Sequence, residues 1–165
     1  MQAVLRSRVI RPAIAQSARL SSAQVIQRFP KAVLSTSIRN MSDLTTIIAK
    51  DIVPPVGPYS HAVKTPTAIY CSGQIHLDPQ GNMISGTITE KTALCLKNLE
   101  AVLKEAGSSI QKIVKVNIFL ADMADFAEMN KEYEKWMVHK PARSCVAVKT
   151  LPKNADVEIE AIALP

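Results

Sequence analysis

The sequence predicts an α+β domain, a mixed sheet with two helices on one face. Two observations lead there. Four or five stretches are apolar and partly β-branched, as strands are: 60–65, 68–75, 113–122, 144–151 and 157–164. Two longer stretches, 87–107 and 122–137, carry apolar residues at helical spacing. Along the chain the order is two strands, a helix, a strand, a helix and two strands.

Each element has a local reason. In "TITEKTALCLKNLEAVLKEAG", Thr87 and Glu90 have the S/T-x-x-E spacing of a capping box. Cys95, Leu99, Val102, Leu103 and Ala106 then fall on one helical face, and Gly107 suits the residue after the C-cap. In "DMADFAEMNKEYEKWM", Asp122 or Asp125 can cap, and Phe126, Met129, Tyr133, Trp136 and Met137 make an apolar stripe for the core. In "VEIEAIAL", Val157, Ile159, Ala161 and Ala163 share one face, while Glu158, Glu160, Ile162 and Leu164 share the other. Both faces carry apolar residues, yet helices cover only one. A second copy of the chain is the expected cover.

The N-terminus has a different composition. Residues 1–42 hold seven of the 20 basic residues and none of the 14 acidic ones. The leader therefore carries about +7 of a net +6, and residues 43–165 are left near −1. An Arg-rich, Ser-rich, acid-free start that can form an amphipathic helix is the composition of a mitochondrial presequence, which predicts import into the matrix. A basic tail or a membrane-surface arm would share it. Met41 can serve as an internal start for a cytosolic form. The apolar runs of the leader are too short to span a membrane.

Residues 43–165 suffice for one compact core. Their near-balanced charge argues against a nucleic-acid binder held by phosphate contacts. Cys71, Cys95 and Cys145 are odd in number, far apart and without a CxxC, so no disulfide framework is expected. His61, His76 and His139 have no metal-ligand spacing, and no metal is expected.

Arg143 stands at the mouth of an apolar run in "HKPARSCVAV" (139–148). A guanidinium keeps its charge and needs a partner when it is covered. That partner could be a carboxylate of this chain or of a neighbouring one, Glu158 or Glu160, or one that arrives as a ligand. By alternation Arg143 and Cys145 share a face.

Five blocks carry a resemblance: "GPYSHAV" (57–63), "YCSGQIHLDPQG" (70–81), "VKVNIFLADMADFAEMN" (115–130), "KPARSCVAV" (140–148) and "VEIEAIAL" (157–164). Together they resemble the Rid family of enamine/imine deaminases, also called YjgF or UK114, and its fungal mitochondrial members in particular. The resemblance covers the chain after the leader. It implies a chorismate-mutase-like fold and a homotrimer around a central barrel, with active sites in the clefts between subunits. It implies hydrolysis of 2-aminoacrylate-type enamines and their imine tautomers, such as 2-iminobutanoate and 2-iminopropanoate, to 2-keto acids and ammonia. No cofactor is implied, because the imine is already electrophilic and needs only positioning, proton transfer and water.

The resemblance also implies residue roles. Arg143 matches the substrate-carboxylate anchor, a task that suits a planar fork of donors. Glu158 matches the acid that positions water at the imine carbon, and Glu160 on the same face is its rival. Tyr59 matches an aromatic that closes the pocket from the neighbouring subunit, although beside Gly57 and Pro58 it could simply flank a turn. Ser72 and Gly73 match pocket-lining residues. Asn117, polar on an apolar strand, must find partners if buried. Cys145 matches a pocket-wall residue, with a structural buried thiol preferred to a nucleophile. His76, at the pocket rim or solvated, receives no role. Members of the same family are described as translation inhibitors or endoribonucleases, and a non-catalytic keto-acid-sensing trimer is a third reading.

Overall fold

The structure, a computed structural model, describes residues 43–165. The leader expected over residues 1–42 lies outside the described residues. Six strands form one sheet: β1 (Thr45–Ile47), β2 (Ala62–Lys64), β3 (Ile69–Ile75), β4 (Ile113–Leu120), β5 (Ala142–Ala147) and β6 (Val157–Ala163). Two helices, α1 (Ile88–Glu105) and α2 (Phe126–Trp136), complete the domain. The strand order is β1-β2-β3-β6-β4-β5, with β5 parallel to β4 and every other neighbour antiparallel.

This order explains why both helices share a face. β3 and β4 both run antiparallel to β6, so they are parallel to each other and joined through α1. β4 and β5 are joined through α2. Both crossovers advance in the same direction across the sheet, and right-handed crossovers then place both helices on one side. α1 packs on β3, β6 and α2. Its buried Leu96, Leu99 and Leu103 join Ile118, Val157 and Ile159 in the core.

The local signals act as expected at α1. Thr87 and Glu90 make the reciprocal capping box, and Gly107 follows the C-cap at φ +77°. The alternation of β6 also holds: Val157, Ile159, Ala161 and Ala163 are buried, and Glu158, Glu160 and Ile162 are half-buried on the open side.

Several boundaries differ from expectation. The strand read at 144–151 begins at Ala142 and ends at Ala147, so Arg143 lies inside it and not at its mouth. The second helix starts at Phe126. Met123–Asp125 form a short 3-10 turn before it, whose first N–H groups are met by Asp122 Oδ1 accepting from Ala124 N at 2.8 Å. Asp125 makes no side-chain cap. β1 was not read from the sequence, because two threonines and an isoleucine over three residues carry no legible pattern. β3 has a bulge between Cys71 and Gln74: Cys71 pairs with Ala161 and Gln74 with Ile159, so Ser72–Gly73 hold one residue too many for β6.

Candidate functional site

Register decides which face each site residue occupies. Arg143 lies beside Val116 and Cys145 beside Ile118. Val116 in turn pairs with Ala161, and Ile118 with Ile159, which are core residues beneath the helices. Arg143 and Cys145 therefore lie on the helix face, while Glu158 and Glu160 lie on the open face. β4 also stands between β5 and β6. An ion pair of Arg143 with Glu158 or Glu160 of the same chain is excluded, because the sheet separates them.

Arg143 is the only arginine in residues 43–165. It is packed against α2 and paired with no carboxylate among the described residues. Its guanidinium carbon lies 4.7 Å from the Tyr133 ring centroid and 5.7 Å from that of Phe126, within cation–π range. Nη1 donates to Asn130 Oδ1 at 2.6 Å. The rest of the fork borders an open hollow of about 790 Å³ lined also by Asn130, Tyr133, Met137 and Pro141. Cys145, half-buried on the same face, packs against the core; burial pushes its thiol pKa up, and the Arg143 charge pulls it partly back. A raised pKa means little thiolate at neutral pH, which fits a wall residue better than a nucleophile.

Glu158 faces Phe119 on β4 and Ile75 on β3, on the open side. Burial, and after it the neighbouring Glu160, pushes its carboxyl pKa up. No described residue forms an ion pair with it. Its side chain lies across Gly73. A Cβ there would overlap Oε1 and stand 2.8 Å from Cδ, so the glycine leaves room for the Glu158 carboxylate to lie where it does. Tyr59, Gly73 and Glu158 line one cavity of about 290 Å³, with Val56, His61 and Lys153 on its other walls. Tyr59 itself is half exposed.

The remaining residues fall on the same side. Ser72 Oγ donates to Ser60 O at 2.7 Å, and with Tyr59 it lines a shallow neighbouring hollow. Asn117 Nδ2 donates to Glu160 Oε1 at 2.7 Å. Asn117 thus finds the partner that burial demands, and the rival carboxylate is engaged while Glu158 is not. The candidate residues form two half-sites: Arg143 and Cys145 beneath the helices, and Tyr59, Ser72, Gly73, Asn117 and Glu158 on the other side.

His76 is neither at a rim nor solvated. It is buried, its Nε2 accepts from Asp156 N at 3.3 Å, and burial lowers its pKa. Among the described residues no group of histidine, cysteine and acidic side chains could hold a metal ion, and no helix is long and apolar enough to cross a membrane. Asn130 escaped the sequence reading, and Tyr133 passed for core alone. The available signal was their spacing of three on α2, which puts both on one helical face.

The profile of the family described as endoribonuclease L-PSP matches residues 49–165. The chain belongs to this family, which is also known as YjgF, RutC or Rid. Among its relatives, this L-PSP/Rid chain is 53% identical over 131 residues to the protein mmf1, mitochondrial, of Schizosaccharomyces pombe, covering 77% of this chain and 80% of that one. It is 45% identical over 127 residues to MMF1, mitochondrial, of Saccharomyces cerevisiae, covering 76% and 88%. The crystal structure of yeast Mmf1 superposes with a TM-score of 0.72 at 46% identity, over 73% of this chain and 98% of that one. That of E. coli TdcF with bound serine gives 0.70 at 34% identity, over 73% and 98%. The mixed sheet with two helices is thus the fold of the Rid family's solved members.

Proposed function

We infer that the protein is an imine deaminase: it hydrolyses short-lived 2-aminoacrylate-type enamines, as their imine tautomers, to 2-keto acids and ammonia. One observation carries this reading. The one arginine of the domain is held in place, half-covered and without a carboxylate of its own chain. A bidentate carboxylate ligand is the partner its fork geometry suits. The serine bound in the TdcF structure is a small amino acid with such a carboxylate.

Completing the site takes a second copy. The open face bears Tyr70, Phe119, Val146 and Ile162 beside the carboxylates, an apolar surface that helices do not cover. The homotrimer that the family resemblance implies completes the site only if the β5 edge of one subunit, with Arg143 and Cys145, meets Glu158, Gly73 and Tyr59 of the next. Arg143 then anchors the carboxylate and places C2 of the imine near Glu158. Protonated imine is attacked by a water that Glu158 orients and deprotonates. The proton passes to the departing amine, and as the C–N bond breaks the carbinolamine hydroxyl gives its proton back to Glu158, leaving ammonia and the keto acid. A carboxyl with a raised pKa is suited to carry that proton near neutral pH. The mitochondrial relatives and the basic, acid-free leader support action in the mitochondrial matrix.

The test is a coupled assay. A serine/threonine dehydratase generates the enamine, and semicarbazide trapping competes with release of pyruvate or 2-ketobutyrate. The protein should divert flux from the semicarbazone to the keto acid, and Arg143→Ala should not. Normal hydrolysis by Arg143→Ala would contradict the reading. The family's description as an endoribonuclease supports a second activity. Ribonuclease activity that co-purifies with the protein and vanishes with Arg143→Ala would favour it.

A further inference from the structure

Arg143 does not hold itself in place. Its guanidinium carbon lies over the Tyr133 ring at 4.7 Å, a contact without a directional bond that leaves the fork free to turn. The bond from Nη1 to Asn130 Oδ1, 2.6 Å long, removes that freedom. Asn130 is fixed in its turn, because its Nδ2 donates to Glu134 Oε1 at 2.8 Å, one turn further along α2. This bond sets the amide's orientation, so that the oxygen and not the nitrogen faces the arginine. The Phe126 ring is a second aromatic contact, its centroid 5.7 Å from the guanidinium carbon. Asn130, Phe126, Tyr133 and Glu134 are all on α2, so a single helical face sets the orientation of a residue on β5.

The chemistry of the acceptor matters as much as its position. A side chain that only braces an arginine is most strongly an aspartate, which would pair with it as an ion. Asn130 offers the same oxygen at the same reach without the charge. The guanidinium keeps its full positive charge, and the donors other than Nη1 remain for the hollow that Arg143 borders.

We propose that Asn130 is the positioning residue of the carboxylate anchor: a neutral acceptor that orients the Arg143 fork while leaving its charge free for an incoming carboxylate. This rests on the reading of Arg143 as a ligand anchor. An aspartate at 130 would keep the hydrogen bond and occupy the charge, and the exposed Glu134 would swing to solvent away from it. Folding and ligand binding should then part company, which a purely structural brace would not produce.

Three variants of the full chain, Asn130→Asp, Asn130→Ala and Arg143→Ala, are titrated with 2-ketobutyrate by calorimetry, with thermal unfolding followed in parallel. Asn130→Asp should unfold at or above the native temperature yet bind 2-ketobutyrate about tenfold more weakly, the order of one lost charge-assisted contact. Asn130→Ala should also bind more weakly, since its fork is free to turn. In hydrolysis both should raise KM while kcat stays within about twofold of native, because Glu158 and its water are untouched. Native-like affinity and KM in Asn130→Asp, with binding lost in Arg143→Ala, would overturn the positioning role and leave the anchor standing. Native-like binding in Arg143→Ala would remove the anchor itself, and the role of Asn130 with it. Should Asn130→Ala fail to fold, Asn130→Asp decides, since it retains the bond.

Discussion

The two faces of the sheet are built in opposite ways. On the helix face, Arg143 is held by Tyr133, Phe126 and Asn130 of α2, and these contacts are made within one chain. On the open face, Glu158 lies over a glycine, half-buried and in no ion pair among the described residues, with a raised pKa. Binding needs a rigid, permanently charged fork, and proton transfer needs a carboxyl that can exist in both forms. On the proposed reading each half-site has what its task requires and neither is complete alone, so the sheet that separates them in one chain would make a contact between copies part of the chemistry.

The sharpest way to break the comparison is to disable each half separately. Arg143→Ala should abolish both 2-ketobutyrate binding and hydrolysis. Glu158→Gln should lose hydrolysis by about a hundredfold or more, the usual weight of a general acid–base, yet still bind the keto acid. A Glu158→Gln variant that neither binds nor hydrolyses would erase the division of labour. Next in size is Gly73→Ala. Its new methyl occupies the position of the Glu158 carboxylate, which must rotate away. About a tenfold or greater fall in kcat is expected with binding intact, since a misplaced base loses alignment with its water. Equal losses in kcat and affinity would show that the bulge serves the fold and not the acid.

Smaller effects come from charge. Glu160→Gln removes the lesser of the two causes that raise the Glu158 pKa. The ionisation limb of the pH–rate profile should move to lower pH, yet stay above the ordinary carboxylate range because burial persists. A limb that moves upward would assign it to another group. His61 and His76 are buried with pKa values lowered chiefly by burial. His61 accepts from Ala49 N at Nδ1 and donates to Val53 O from Nε2, and so ties the 49–53 segment to β2 as a neutral ring. An unfolded chain binds protons at these sites more readily, so their contribution to folding stability should decline as pH falls below about 6.5 and level off below the folded pKa values, while the raised pKa of Glu158 acts in the opposite direction. Chemical denaturation of Glu158→Gln, which lacks that opposing carboxyl, between pH 7.5 and 5 would check the sign, and stability that rises on acidification would contradict it.

What was legible in the sequence was local. The capping box of α1, the helical stripes and the two-faced alternation of β6 depend on residues close together in the chain, and they hold in the structure. The face of Arg143 was not legible. Ala142, Arg143, Ser144, Cys145 and Val146 mix small, polar and apolar residues on both sides, so alternation shows which residues travel together but not where they point. Their placement follows from the pairing of β5 with β4 and of β4 with β6, contacts distant in sequence. The bulge at Ser72–Gly73 has the same origin, since it exists only relative to β6. Asn130 shares a helical face with Tyr133, but its meaning appears only when Arg143 arrives above α2.

The central claim is that Arg143 and Glu158 of different copies make one site. The direct test mixes two inactive proteins. Arg143→Ala and Glu158→Gln are co-expressed with different tags, purified as the mixed assembly, and assayed for imine hydrolysis beside each variant alone. In a mixed trimer one of the three subunit contacts sets an intact Arg143 against an intact Glu158, so activity should return on the order of a third of native. A mixed assembly no more active than its parents would contradict the shared site.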